Sequence, residues 1–232
     1  VIRPPSRRFL VAAATTLAVI ALVRTFVIQV YGILTPSMAP TLLPGDYVIT
    51  SSLAIGSAIP GTRLATPHFR DPVRGQVVVY GEKKGDPPVR IIKRVIGLPG
   101  DTVGMVDGKV VRNGLTLDEP YVSPVSREDE PLDFEGPYGV AWHLAALPYG
   151  VSRDEYRPTR DRWGPLIVPP GHYLLLGDDR DESRDSRMTG FVSREQIRGS
   201  VVAVYYSVAP GRPQFAHALT AARWSRIGHR VR

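Results

Sequence analysis

Ser37 and Lys93 are the residues of this 232-residue chain whose types and surroundings most directly suggest chemistry. Ser37 lies in Ile33-Leu34-Thr35-Pro36-Ser37-Met38-Ala39-Pro40-Thr41-Leu42, just beyond a hydrophobic N-terminal stretch. Lys93 lies in Arg90-Ile91-Ile92-Lys93-Arg94-Val95-Ile96-Gly97-Leu98-Pro99-Gly100-Asp101. A serine hydroxyl is a poor nucleophile at neutral pH and needs a base to take its proton. A lysine serves as that base when burial among apolar groups lowers its pKa enough to leave the amine neutral. Two isoleucines before Lys93 and Val95 and Ile96 after it write such a setting into the local sequence. No Ser-His-Asp signature competes with this pair. His68, His143, His172, His217 and His229 are scattered, and none forms the H-E-x-x-H helix of a zinc protease. The run Asp179-x-Asp181-x-Ser183-x-Asp185 superficially resembles a calcium loop. An EF-hand loop starting at Asp179 needs glycine at its sixth position and an acid at its twelfth, where this chain has Arg184 and Gly190.

The elements that must position the pair read as strands. Gly and Pro are frequent, and Val/Ile/Tyr runs alternate with turn residues, which favours a β-rich body. The pattern predicts strands over 47–50, 76–80, 89–96, 173–176 and 200–208. The segment 103–111 breaks at Asp107-Gly108, a hairpin signal. Residues 118–165 are richer in Pro, Gly, Asp and Arg, lack clear periodicity, and read as an inserted, loop-rich subdomain. The absence of cysteine removes disulfides, thiol nucleophiles and thiolate metal sites together.

Residues 9–23 form an uninterrupted run of apolar and small residues. Counting through Ile28 reaches the roughly 20 residues a membrane span needs, with Arg24 able to snorkel to the interface. Three arginines before the run against one after it predict a cytoplasmic N-terminus, residues 1–8, and an exported body. A cleaved secretory signal is the alternative. The sequence after Val23, Arg24-Thr25-Phe26-Val27-Ile28-Gln29, offers no small-x-small cleavage site, which favours an uncleaved anchor over 9–28. The formal net charge of +7 resides at the ends: the first eight residues carry three arginines and no acid, and residues 209–232 five arginines and no acid. That distribution suits termini beside anionic lipid and argues against a nucleic-acid groove. Within the basic tail, 215–227 is expected to form a short interfacial helix.

Three blocks, in order behind the apolar segment, resemble the bacterial type I signal peptidases, membrane-anchored serine-lysine endopeptidases. They are Thr35 to Leu42 with Gly45-Asp46; Arg74-Gly75-Gln76-Val77-Val78 leading to Ile92 through Asp101; and Gly177-Asp178-Asp179-Arg180-Asp181-Glu182-Ser183-Arg184-Asp185-Ser186-Arg187 with Gly190-Phe191-Val192. The resemblance implies a mainly β fold, an antiparallel, barrel-like sheet related to the repressor C-terminal domain. The resemblance also implies one N-terminal transmembrane helix before this peptidase domain, which is expected over 29–208 with 118–165 inserted in it. It implies Ser37 as nucleophile and Lys93 as general base, with Thr35 and the Ser37 N–H as oxyanion donors. Ser183 is then expected to hydrogen-bond the lysine amine and aim it. Arg94, Asp178, Asp185 and Arg187 are expected to pair beneath the site as structural support. Ile33, Leu34, Met38, Leu42, Ile91 and Ile92 are expected to line pockets for small residues of an Ala-x-Ala motif. The partners implied are exported preproteins and membrane lipid, with no metal and no cofactor. Two positions depart from the family pattern: Leu34 stands where proline is common, and Asp179 where asparagine is usual.

Overall fold

Along Asp46-Tyr47-Val48-Ile49-Thr50-Ser51, burial alternates strictly, covering Asp46, Val48 and Thr50, the period of a strand with one face on a core. This computed structural model describes residues 6–26, 28–51, 70–81, 89–124, 127–133, 139–209 and 221–231, and side chains over the same stretches except 21–26. In chain order the elements are α1 (Arg7–Phe26), β1 (Ile28–Gly32), β2 (Asp46–Ser51), β3 (Val77–Gly81), β4 (Arg90–Gly97), β5 (Thr102–Val106), β6 (Lys109–Arg112) and β7 (Leu115–Thr116). There follow α2 (His143–Ala146), β8 (Trp163–Ile167), β9 (His172–Leu176), α3 (Ser186–Thr189), β10 (Val192–Ser193) and β11 (Ile197–Ser207).

Two antiparallel sheets result. The larger has the order β1-β2-β11-β3-β4-β9-β10 and the smaller β7-β6-β5-β8. All five residues of β3 are buried. Val77 and Val79 join Ile33, Met38, Leu42, Val48, Val201 and Val204 in one core, whereas Val78 and Tyr80 join Val95, Tyr173, Leu175, Val192 and Ile197 in another. Successive side chains of a strand point to opposite faces, so this apolar strand is covered on both. Strand β11 pairs with both β2 and β3 and carries register shifts at Val201/Ala203 and Val204/Tyr206; such bulges bend a long strand and increase its twist. The mainly β, antiparallel architecture agrees with the sequence. At the predicted hairpin, Asp107 and Gly108 both take positive φ (49° and 74°) between the paired residues Val106 and Lys109, as a tight primed turn requires.

Three expectations need amendment. Ile28 does not close the N-terminal helix; it opens β1 opposite Ser51, where a β-branched residue suits the pleat. The stretch 118–165 ends in a strand, β8, whose Trp163 and Leu166 are buried with Val103, Met105, Leu147 and Tyr156. Gly164-Pro165 hides this strand, since proline donates no ladder hydrogen bond. The ladder to β5 shifts register between Val103 and Met105, opposite these two residues. In the tail, 215–220 lies outside the described residues, and Trp224–Arg226 form a single 3₁₀ turn. Ala222 bridges Val208, and Arg230 bridges Ala203, so this part of the tail lies along β11.

The apolar N-terminal segment is helical, and its described side chains are exposed nearly throughout, Phe9 and Leu17 by 64% and 67%. Among the described residues no helix is long and apolar enough to cross a membrane. The side chains of 21–27, which the expected span 9–28 includes, lie outside the described ones.

Trp163 is 2% exposed and joins the stretch 118–165 to the second sheet. Trp163→Ala is expected to destabilise the protein by about 3–5 kcal/mol, measurable as a lower denaturant midpoint at unchanged slope.

Candidate active site

The connection between β1 and β2 carries Ser37. Its turn closes on itself, with the Ala39 N–H donating to Pro36 O (2.6 Å) and the Leu42 N–H to Met38 O (2.8 Å). Met38 and Leu42 anchor it in the core at 2% and 0% exposure, which leaves Ser37 half-buried at the surface of the turn. Across from it runs β4. Strand β4 pairs with β3 over Arg90–Arg94, but β9 pairs only with Arg94, Val95 and Gly97. The edge of Arg90–Ile92 on that side therefore has no strand partner among the described residues.

Lys93 ends this open edge. Its side chain is buried, 2% exposed, and Nζ donates a 2.7 Å hydrogen bond to Ser37 Oγ. Burial disfavours the charged amine and pulls its pKa from 10.5 down to about 8; Asp185 pushes it back up and Arg187 down. The same contact lets the Ser37 hydroxyl donate to the amine once that is neutral. Thr35 Oγ1, exposed, lies 3.4 Å from Ser37 Oγ.

Two closed ion pairs lie beneath. Arg94 and Asp178, 1% and 0% exposed, form a bidentate pair, Nε–Oδ1 2.8 Å and Nη2–Oδ2 2.6 Å. Arg94 also donates to Gly75 O at 2.7 Å, and its guanidinium stacks 3.8 Å from the Tyr121 ring centroid. Asp185 and Arg187, both fully buried, pair through Nε–Oδ1 at 2.9 Å and Nη2–Oδ2 at 3.0 Å. Asp185 also caps α3 by accepting from the Arg187 N–H, a role short acceptor side chains favour at helix starts. Burial alone would raise the Asp185 pKa, but the Arg187 charge and hydrogen bonds hold it below the ordinary carboxylate range.

Ser183, expected to aim the lysine, is held by a carboxylate. It is buried, but its hydroxyl donates to Asp185 Oδ2 at 2.7 Å, and the lysine amine is bonded to Ser37. A carboxylate is the stronger acceptor and takes the serine proton. Ser183 can then meet an ammonium only as an acceptor. Ser183 remains close to the Ser37 backbone: a Cβ built on Gly177 would lie 2.2 Å from Ser183 Oγ and 2.4 Å from Ser37 O.

A cleft of about 410 Å³ opens over the pair, lined by Ile33, Leu34, Met38, Ile91 and Ile92 along with Thr35, Ser37 and Lys93. Leu42 does not line it. Its side chain packs in the core against Val48 and Val77 because the turn points it inward. The sequence reading missed Val89, Arg90, Glu182 and Arg184, which complete the rim. It also missed His143, whose signal was only that of an isolated histidine. Arg187 O accepts from Nε2 at 2.9 Å, so Nδ1 accepts from the Tyr156 hydroxyl at 2.8 Å, and Tyr156 in turn accepts from the Gly164 N–H. Burial lowers the His143 pKa to about 4 and keeps this chain of bonds intact at neutral pH.

Gly177→Ala forces a Cβ between Ser183 and the Ser37 carbonyl. The expected outcome is destabilisation of about 1–3 kcal/mol, read from urea unfolding, with a loss of activity larger than the unfolded fraction explains.

The comparisons with known proteins show the family. The family model described as "Signal peptidase, peptidase S26" matches residues 6–206. A signal peptidase I from Pseudomonas aeruginosa is 33% identical over 209 residues, covering 82% of this chain and 69% of its own. One from Pseudomonas fluorescens is 31% identical, covering 91% and 75%, and one from Aquifex aeolicus 27%, covering 94% and 91%. A crystal structure of a signal peptidase I from Enterococcus faecalis is 29% identical and covers 56% of this chain and 97% of that one, with a TM-score of 0.36. With most of its length inside the family model and relatives above 30% identity over more than four-fifths of it, this chain, a hydrolase, belongs to the signal peptidase family.

Proposed function

We propose that the protein removes signal peptides from exported preproteins by a serine-lysine mechanism, with Ser37 as nucleophile and Lys93 as general base. The observation that carries this is the 2.7 Å contact between Lys93 Nζ and Ser37 Oγ at a lysine held out of water. Neutral Lys93 takes the Ser37 proton as Oγ attacks the scissile carbonyl, then returns it to the leaving amine. The developing oxyanion lies near the Ser37 N–H and the Thr35 hydroxyl; a donor of this kind typically accounts for about 10²–10³ in rate.

The substrate adds as an extended strand along Arg90–Ile92, whose edge is open, using main-chain hydrogen bonds for affinity. Ile33, Leu34, Met38, Ile91 and Ile92 then form the shallow apolar wall that accepts small residues of an Ala-x-Ala motif. The segment 9–28, to which most of α1 belongs, serves as the membrane anchor, with the peptidase domain outside the cytoplasmic membrane. The exposed apolar side chains of α1 support this, because a helix with apolar residues all round needs an apolar surrounding.

The test uses the full chain in detergent with a preprotein substrate and product identification by mass spectrometry. Ser37→Ala and Lys93→Ala are each expected to reduce cleavage by about 10⁴-fold or more without abolishing substrate binding. Full activity in either variant contradicts the mechanism. Because the base must be neutral, kcat/KM is expected to rise with pH through about 8 and then level. A profile flat across that range contradicts Lys93 as the base.

A further inference from the structure

The family model ends at residue 206, yet two arginines beyond it reach back to the turn that carries the nucleophile. Asp46, at the start of β2, is fully buried. Its carboxylate accepts from Arg226 Nη2 at 2.6 Å and Nε at 3.0 Å, from Arg223 Nη2 at 3.1 Å, from the Ser207 hydroxyl at 2.7 Å and from the Leu43 N–H at 2.8 Å. Burial alone would raise the Asp46 pKa, but these donors hold it below the usual range. The two guanidinium groups also grip the backbone of the turn itself. Arg226 Nη2 donates to Thr41 O at 3.0 Å, and Arg223 Nη2 to Pro44 O at 2.7 Å. Gly45 sits so close to the residue that follows β11 that a Cβ there would lie 2.1 Å from Val208 O, and its φ is +87°, a conformation glycine adopts without strain.

We infer that Arg226, with Arg223, is a positioning residue for catalysis, acting as the outer half of a clamp on the nucleophile turn. This inference rests on Ser37 being the nucleophile. The inner half of the clamp is the Arg94–Asp178 pair, since the Thr41 hydroxyl donates to Asp178 Oδ2 at 2.5 Å. Thr41 is thus held through its side chain from beneath Lys93 and through its carbonyl from the C-terminal segment. The arrangement fixes where Pro36–Leu42 stands relative to β4, and so fixes the Ser37–Lys93 distance. The cleft walls contributed by Ile91 and Ile92 belong to β4 and are independent of the outer clamp. Met38 belongs to the clamped turn, but Ile91, Ile92 and the open backbone edge of Arg90–Ile92 do not, so loosening Arg226 acts mainly on the chemical step and only weakly on substrate capture.

The clamp depends on the guanidinium fork, which reaches Asp46 and Thr41 O together; a lysine offers one compact charge without that fixed geometry. Arg226→Lys and Arg226→Gln are to be compared with wild type in the full chain for kcat, KM and thermal unfolding on one preprotein, with Ser37→Ala alongside. Arg226→Lys is expected to keep the unfolding temperature near that of wild type while kcat falls by about 10–100-fold, since a misplacement of about 1 Å costs on that order; KM should stay within about threefold. Arg226→Gln is expected to lose at least as much kcat and some stability, and if it fails to fold, the lysine variant decides. Wild-type kcat in a folded Arg226→Lys protein overturns the inference, as does a loss confined to KM. Continued cleavage by Ser37→Ala overturns the nucleophile assignment instead, so the two failures are distinguishable.

Discussion

A lysine amine held out of water against a serine hydroxyl is the constraint on which the rest of the structure depends. Burying a charged ammonium is unfavourable unless it is paired, and the Lys93 amine is bonded to a neutral hydroxyl at 2.7 Å. Carboxylates placed freely beside it would restore the charge and raise its pKa. Asp185 and Asp178 are the nearby carboxylates that push in that direction, and each is engaged by an arginine of its own, Arg187 and Arg94. The Arg94–Asp178 pair therefore holds the third block against β4, the Asp185–Arg187 pair braces that block internally, and the lysine is left largely governed by burial. Buried pairs of this kind are weak evidence for net stability, because desolvation offsets the attraction. Their value here is geometric.

That geometry extends outward through shared atoms. Thr41 joins the Arg94–Asp178 pair to the turn bearing Ser37. Asp185 joins Ser183, the Gly177 N–H and the cap of α3 to Arg187, and Arg187 O meets His143 from the stretch that the sequence reads as an insertion. The segment 118–165 thereby contacts the support of the site as well as the second sheet. The Thr41–Asp178 and His143–Arg187 contacts join residues distant in the chain, whereas the Asp185 contacts are local to the third block; together they satisfy the buried polar groups.

How far the sequence disclosed this follows from the range of each interaction. The Tyr/Val/Ile run after Pro44-Gly45-Asp46 exposed β2, and Asp107-Gly108 exposed the hairpin of β5 and β6, because both signals are local. Ser37 and Lys93 were legible because the residues flanking each already describe its surroundings. Strand β8 was obscured by Gly164-Pro165 within it. Leu42 was expected in the cleft from the family resemblance; the turn Pro36–Leu42 directs it into the core. The partner of Ser183 depends on which acceptor it meets after folding, and Asp185, two residues away, is nearer than any spacing rule indicated. Arg223 and Arg226 looked like lipid-facing charges, since nothing local links a tail to Asp46 at the other end of the chain.

The most direct test of the account is the titration of Lys93 itself, followed by NMR of side-chain-labelled lysine in the full chain and assigned with Lys93→Met. The account predicts one lysine with a midpoint of about 8, absent from the variant. A Lys93 that titrates at its ordinary value near 10.5 would contradict it, because the amine would then be charged at neutral pH and unable to take the serine proton.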